Sequence, residues 1–290
     1  MLQDSIEKVI EFATRPNYAD EIRDAKNNYI ETMGAIFDDD RSFDSRMASF
    51  LEWYIFDRDL KTNGKTPISV FINHHLSNWT KEIQTHYRSF ERNIHGLFLV
   101  KKPLSGKVLV VNLFDKVEYK IEEPQSELIF RKNDIFEGRA IPFPDGNRFT
   151  GTYCFHPQQT SKFIKNQVEV IAKEKDALLA QIKKINSKLS KLDIKIEKYS
   201  AKSKKLSKKI ESSNSESKKA KLEEKKRVIE SQKLDLEILR PPIIDELDNI
   251  EINKLGIEMP ATKRKIMHQL SFMNLRWERS RQIDLKDIYK

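Results

Sequence analysis

A heptad register of mostly apolar residues runs without a break from Ile164 to Ile210. The steps between successive positions alternate between three and four residues, which keeps one seam facing a partner helix, as a coiled coil requires. The seam consists of Ile164, Val168, Ile171, Lys175, Leu178, Ile182, Ile185, Leu189, Leu192, Ile196, Tyr199, Ser203, Leu206 and Ile210. The sequence therefore predicts a long coiled-coil arm.

The register fails at residues 212–217, which are mostly serine and have nothing to bury. Such residues form turns and helix caps readily. The period then resumes at Leu222, Ile229, Leu236, Leu239 and Ile243, with Lys225 and Gln232 on the same seam. We interpret the arm as a helical hairpin whose return helix breaks at Pro241–Pro242. The alternative is a parallel homodimer, in which Lys175 would face its own copy at a cost in stability.

The positive charge of the chain is concentrated in this arm. Residues 160–233 hold 22 Lys or Arg against 10 Asp or Glu, whereas the net charge of the whole chain is +9. The rest of the chain is therefore slightly acidic. A basic rod suits phosphate backbones or acidic proteins, although a lysine-rich face can also serve only to keep a helix solvated.

We expect a polyanion to contact ten lysines at exterior heptad positions, distributed around the rod and not on one face. They are Lys183, Lys184, Lys191, Lys195, Lys198, Lys202, Lys204, Lys205, Lys208 and Lys209. Such a distribution predicts backbone contact that is weakly sequence-selective and strongly salt-dependent.

The remaining pattern predicts an α+β fold with four regions. Residues 1–95 read as a helical bundle, in which a third helix from about Ser42 is apolar on nearly every side and a fourth runs from Ile68 to about Glu91. Residues 96–158 show five short alternating segments, typical of a small five-stranded antiparallel β-barrel. Residues 159–255 form the hairpin arm, and residues 256–290 return to the body.

The C-terminal region is expected to hold a docking helix from Thr262 to about Arg281, set apart from the preceding helix by Gly256 and Pro260. The docking face consists of Ile266, Leu270, Met273 and Trp277. In the barrel, aromatic residues alternate with basic ones, which could build a stacking platform for single strands. Each aromatic residue lies in an alternating segment, so we favour a role in the barrel core.

The sequence holds no nucleotide-binding loop and no nucleophile elbow, and nothing in it places two carboxylates in one cleft. The histidines lack the spacing of a metal site, so we expect no metal and no cofactor. Cys154 is the only cysteine and reads as a packed thiol. The first residues lack the pattern of a signal peptide, and no apolar run is long enough to span a membrane, so we expect a cytoplasmic protein.

Two segments resemble a known group of proteins. One is the aromatic helix of residues 50–58. The other is the sequence of the predicted barrel at residues 108–115 and 131–135, together with Phe155-His156-Pro157 at the end of the barrel. Together they resemble the helix-plus-small-barrel region of poorly characterised bacterial proteins, some of which carry a SEC-C zinc motif. The SEC-C cysteines are absent here, so the resemblance implies no zinc site and no activity.

The sequence favours a non-enzymatic binding or scaffold protein whose arm contacts nucleic acid or another polyanion. The alternative is a protein–protein adaptor, or a dimerisation scaffold, in which the charge is incidental. An enzyme that acts on nucleic acid through an unrecognised site is a third possibility.

Overall fold

The computed structural model describes residues 2–280 and 282–290. The chain forms two compact units: one contains the residues up to Val170 and those from Lys263 on, and the other is Ile171–Thr262. The mixed α+β class predicted from the sequence is confirmed. Among the described residues, no helix combines the length and the apolar character needed to cross a membrane.

Five helices precede the barrel in the first unit: α1 (Leu2–Ala13), α2 (Ala19–Met33), α3 (Phe43–Phe56), α4 (Pro67–His75) and α5 (Lys81–Glu91). Their apolar faces share one core, in which Phe50, Tyr54 and Phe90 are fully buried. Because α3 is apolar on several sides, it lies at the centre of this core, and Tyr54 donates a hydrogen bond to the carbonyl of Ala13 on α1.

The single fourth helix expected over residues 68–91 is wrong, because the structure divides it into α4 and α5. A 3₁₀ turn at Leu76–Asn78 separates them, and the side chain of Thr80 caps α5 by accepting a hydrogen bond from the Ile83 amide at 3.4 Å. An internal N-cap satisfies the free amides of a new helix, so a polar stretch of this kind can start one.

The barrel consists of β1 (Ile94–Leu104), β2 (Lys107–Asn112), β3 (Glu118–Glu122), β4 (Ile135–Phe143) and β5 (Gly146–Phe149), with α6 (Ser126–Ile129) between β3 and β4. The strand order is β1-β2-β3-β5-β4, and β1 also pairs with β4, which closes the ring. A sixth strand, β6 (Cys154–His156), pairs with β4 outside the ring.

The barrel is not purely antiparallel as expected, because β3 and β5 pair in parallel. This closed order, with one parallel pair and a helix between β3 and β4, is the connectivity of an OB-type barrel. The last of the five predicted strands, over residues 149–155, is also divided, because β5 ends at Phe149, β6 starts at Cys154, and Gly151 between them adopts φ +94°. A positive φ is incompatible with a continuous strand and is easily adopted by glycine alone.

Aromatic side chains fill the barrel, which confirms the core role that we favoured for them. Phe98 and Phe136 are fully buried, and Phe130, which follows α6, and Phe149 are nearly so. Their rings contact one another with centroids 5.0–6.0 Å apart. These residues are therefore not available as a stacking platform for bases.

The second unit is helical and includes most of α7 (Ser161–Glu211), then α8 (Glu216–Ile238), α9 (Arg240–Asp248) and a π-helix at Asn249–Glu258. Every predicted seam position of α7 is buried or half-buried. Residues 212–215 form the turn, and α8 returns antiparallel to α7. Ser203 Oγ lies 2.9 Å from Glu230 Oε1, and Arg240 Nε lies 2.9 Å from Asp193 Oδ1. The two pairs keep one register, so the predicted hairpin is confirmed.

Two details of the return helix differ from expectation. Leu239 is 55% exposed, and Lys226 and Lys233 take the half-buried positions that we assigned to Lys225 and Gln232. The long stems of these lysines can cover apolar surface while the ammonium groups reach water, where they pair with Glu230 and Glu237.

The break at Pro241–Pro242 is confirmed, since α8 ends at Ile238 and α9 starts at Arg240. Gly256 and Pro260, in contrast, do not separate the last helix. The π-helix runs directly into α10 (Met259–Arg279), where Pro260 is the second residue. Because the helix continues through both residues, their local tendency to break helices does not decide its course.

The part of α10 in the first unit docks on the body as predicted, but with a different face. The most buried side chains are Met267, Leu270, Ser271, Asn274 and Leu275. Of the predicted row, Leu270 is buried and Ile266, Met273 and Trp277 are half-buried. The face is shifted because Ser271 and Asn274 meet polar groups of the body. A short α11 (Leu285–Ile288) ends the chain.

Candidate functional site

All ten lysines predicted to contact a polyanion are exposed in the structure. The ion pairs described within the arm involve other residues: Lys226–Glu230, Lys233–Glu237 and Arg240–Asp193. None of the ten lysines takes part in these pairs, and the ammonium group of Lys202 lies 5.4 Å from the centre of the Tyr199 ring.

The lysines are less evenly distributed than expected. Seven of the ten, together with Lys188, form one row in which the steps alternate between four and three residues, and which we call the lysine stripe. It consists of Lys184, Lys188, Lys191, Lys195, Lys198, Lys202, Lys205 and Lys209. Each member precedes a seam residue by one position, so the stripe follows one edge of the buried seam along α7. Sequence reasoning missed Lys188, although the heptad spacing was the signal that could have identified it.

The stripe gives the hairpin a basic side. Lys202, Lys205 and Lys209 of α7 line a groove together with Lys225 and Val228 of α8, and Glu224 is the one carboxylate among the residues that line it. The opposite side of the hairpin carries carboxylates: Asp193 pairs there with Arg240, and Glu230 accepts a hydrogen bond from Ser203. Of the predicted residues, Lys183 and Lys204 lie one position after the seam, on this second side, and Lys208 points away from both edges.

The dimensions of the stripe suit a phosphate backbone. Twenty-five residues separate Lys184 from Lys209, which corresponds to about 37 Å along a helix. Successive ammonium groups follow one another every ~5 Å on average. B-DNA rises 3.4 Å per base pair, so the stripe extends along about 11 base pairs.

The outer face of β2 and β3, which OB-type barrels use to bind oligonucleotides, offers less here. Its charges are paired: Lys107 Nζ lies 2.8 Å from Glu122 Oε1, and Lys101 Nζ lies 3.8 Å from Glu118 Oε1. Leu109 faces Lys120 across the strands. With its charges balanced and the aromatic residues inside the barrel, this face lacks the features of a strand-binding groove.

The first unit also contains a buried polar cluster that joins α3, the barrel and α10. His95 Nε2 on β1 lies 2.9 Å from Glu137 Oε1 on β4, and the hydroxyl of Ser271 donates to Glu137 Oε2 at 2.5 Å. The Arg139 guanidinium on β4 forms two hydrogen bonds with the carboxylate of Asp57, just after α3. His95 Nδ1 is 3.7 Å from Asp57 Oδ2, which links both pairs.

The environment fixes the protonation of two members of this region. Burial alone would raise the pKa of Glu137, but the hydrogen bond and charge of His95 and the hydrogen bond from Ser271 outweigh it and lower that pKa to about 2. Burial, with the nearby charge of Glu137, raises the pKa of Cys154 to about 12. Glu137 is therefore a carboxylate, and Cys154 stays a protonated thiol, as the packed role predicted.

Glu52 and Glu137 both line one cavity of the body, so the expectation that no cleft gathers two carboxylates is wrong. The members of the cluster are far apart in the sequence, with 82 positions between Asp57 and Arg139 and 134 between Glu137 and Ser271. The only local signal was the presence of charged residues inside the otherwise apolar third helix.

No curated protein and no solved structure matches this chain. A family model does match, over residues 17–187, which include α2 to α6, all six strands and the first half of α7. The match ends just after the lysine stripe begins. Since it covers more than half of the sequence, the chain belongs to DUF7986, a family of unknown function.

Proposed function

We propose that this protein binds the backbone of double-stranded nucleic acid with the lysine stripe, as a non-enzymatic binding or scaffold protein. The observation that carries the proposal is the row of eight exposed lysines along one edge of the hairpin. A row of regularly spaced ammonium groups neutralises phosphates and releases counterions, which favours binding without base reading.

The arm acts as an intramolecular coiled coil in this proposal. Its seam keeps α7 and α8 in register and holds the stripe on one side. The opposite side mixes lysines with the paired carboxylates Asp193 and Glu230, so the stripe is the more uniformly basic edge of α7 and the one that we expect a duplex to contact. The protein acts in the cytoplasm, in keeping with its single cysteine. The resemblance to proteins with a SEC-C motif stays a prediction and adds no zinc ligand.

The proposal is tested with two triple variants that change the net charge equally. K198Q/K202Q/K205Q removes three members of the stripe, and K183Q/K204Q/K208Q removes three predicted lysines outside it. Binding to a fluorescent 20-base-pair DNA duplex and to an RNA hairpin is measured by anisotropy at about 50 and 200 mM salt.

We expect the stripe variant to lose on the order of tenfold in affinity, because three phosphate contacts at a few tenths to 1 kcal/mol each are lost. Its salt dependence should also become shallower, by about 3 in the slope of log K against log salt. The control variant should stay close to the unchanged protein. Equal losses of affinity in both variants would show that binding depends on net charge and not on the stripe. No binding at the lower salt would contradict nucleic acid as the partner.

The alternative is a protein–protein adaptor or a homodimer, with the charge incidental. The exposed side chains of Leu234, Ile238 and Leu239 on the return helix favour it, since they are 57%, 62% and 55% exposed. A partner held by such contacts would survive moderate salt. Light scattering of the purified chain at high salt reports a dimer directly.

A further inference from the structure

The body contains a cavity of about 220 Å³ whose wall is formed by α2, α3, the barrel and α10. One end is lined by the first turns of α3, with Ser42, Ser45, Arg46 and Ser49. The other parts of the wall include the buried polar cluster, Trp53 and, from α10, Asn274. This space is large enough for several water molecules. A small molecule fits it, and a polymer does not.

Polar atoms without partners are concentrated around this cavity. Within residues 2–280 and 282–290, four buried side-chain nitrogen or oxygen atoms have no hydrogen-bond partner. Three of them, Arg46 Nε, Arg139 Nε and Asn274 Oδ1, belong to residues that line the cavity, although Arg139 Nε also lies 3.7 Å from Glu52 Oε2 in an ion pair. Arg139 is 2% and Asn274 5% exposed. Because buried polar groups in folded proteins are almost always paired with protein, water or a ligand, this concentration marks the cavity as a place where a polar molecule can be held.

The charge at the α3 end favours an anion. The Arg46 guanidinium donates through Nη2 to the carbonyls of Met33 and Gly34, at 2.8 and 3.1 Å, and not to a carboxylate. The nearby carboxylate of Asp40 is held by Arg279 in two hydrogen bonds. The positive end of the α3 dipole lies at Ser42, so two positive features meet at this end of the cavity.

Carboxylates on the opposite wall already have protein partners. Glu137 accepts hydrogen bonds from His95 and Ser271, and Asp57 behind it is neutralised by Arg139. Asn274 donates its amide to Glu278 Oε1 at 3.0 Å, which leaves its carbonyl oxygen free to accept. Two further carboxylates line the cavity: Glu278, which accepts from Asn274, and Glu52, which pairs with Arg139. The cavity thus offers a cationic donor at the α3 end and, at the other end, a neutral acceptor beside carboxylates that already have partners.

We propose that this cavity binds a small organic anion, with its carboxylate or phosphate group against Arg46 and the serines of α3. A hydroxyl or amino group at the other end of the molecule donates to Asn274 Oδ1. The Ser42 hydroxyl makes no capping bond and can donate to the anion directly, whereas Ser45 and Ser49 donate to the carbonyls of Ser42 and Ser45 at 2.9 Å and would have to rotate. The site is separate from the lysine stripe and serves a ligand of a different size.

The test uses two probes, inorganic phosphate and succinate, added to the full chain, with sodium chloride at matched ionic strength as the reference. Trp53 lines the cavity, so its fluorescence reports occupancy in a Trp79→Phe/Trp277→Phe background. We expect a saturable change with one of the probes and a higher melting temperature. Saturation by phosphate identifies a phosphate-type ligand, and saturation by succinate a carboxylate.

Arg46→Lys keeps the positive charge but loses the guanidinium, and we expect it to weaken probe binding about tenfold. Arg41→Lys, at an exposed position outside the cavity, is the matched control and should bind as the unchanged protein does. If Arg46→Lys does not fold, Ser49→Leu, which fills the cavity, takes its place. The proposal is overturned if neither probe saturates above the chloride reference, or if these variants bind normally, since the cavity would then hold water only.

Discussion

Arg139 is the most buried charged side chain among the described residues, at 2% exposed. Its guanidinium pairs with Asp57, donates to Asn93 and lies 4.6 Å from the centre of the Phe56 ring. A buried charge is tolerated only when it is paired and hydrogen-bonded. Arg139 therefore ties the barrel strand β4 to the end of α3, and removing either partner would leave an uncompensated charge inside the body.

His156 makes the stability of the body depend on pH. It is 5% exposed on β6, with Nδ1 3.3 Å from the Tyr289 hydroxyl, and burial lowers its pKa to about 4 from 6.5. Above pH 6.5 the imidazole is neutral in both the folded and the unfolded chain and has no effect. Between pH 6.5 and 4 the unfolded chain binds a proton that the folded chain does not, so the free energy of unfolding decreases as the pH is lowered.

The expected loss from His156 is about 2 kcal/mol between pH 6.5 and 5, at 1.36 kcal/mol per pH unit. Urea unfolding at several pH values measures it, and His156→Gln should flatten the curve in this window. His74→Gln, at an exposed histidine, is the control. An unchanged pH dependence in His156→Gln would contradict the prediction. Glu137 affects a lower pH range: its pKa is lowered in the folded chain, so its contribution to the free energy of unfolding is lost as the pH falls from about 4.5 to about 2.

At the scale of elements, the arm depends on a narrow seam, which two neighbouring residues can test. Leu192 is 8% exposed on the seam of α7, and Ile194, two positions later, is 62% exposed. Leu192→Asp places a charge without a partner in the seam and should destabilise the arm by several kcal/mol. Ile194→Asp makes the same chemical change at the surface and should stay within ~0.5 kcal/mol.

Circular dichroism during thermal unfolding measures both variants. Leu192→Asp should lose helical signal at a lower temperature than the unchanged protein, whereas Ile194→Asp should follow it closely. Similar effects from both substitutions would show that the assigned seam does not hold the hairpin together.

For the molecule as a whole, stability should decrease along the arm towards its turn. The most buried seam residues of α7 extend only to Leu192, and those from Ile196 to Ile210 are half-buried. In the barrel, by contrast, Phe98, Val108 and Phe136 are fully buried. Local opening is easiest where few apolar contacts must break.

Hydrogen exchange with mass spectrometry tests this gradient. Amides of residues 196–230 should exchange well before those of β1, β2 and β4, under conditions where the chain remains folded. Equal protection of the tip and the barrel would contradict it. A nucleic-acid duplex on the lysine stripe should slow exchange at the tip, because ligand binding stabilises the state that it selects.

The sequence alone determined the elements whose signals are local. The seam follows from residues three or four positions apart, because one helix brings such neighbours onto the same face, and the turn predicted at residues 212–217 follows from the run of serines. The stripe was present in the same spacing but was recognised only with the structure. The alternating strands and their inward-facing aromatic residues were predictable for the same reason, since side chains of a strand alternate between its two faces.

The tertiary structure alone decided what depends on distant residues. The parallel pairing of β3 with β5, the split of the last predicted strand and the shifted face of α10 follow from how complete elements fit together. The polar cluster and the cavity beside it join groups such as Asp57 with Arg139 and Glu137 with Ser271. No local period encodes such contacts, because each becomes favourable only when the surrounding core excludes water and holds both partners in place.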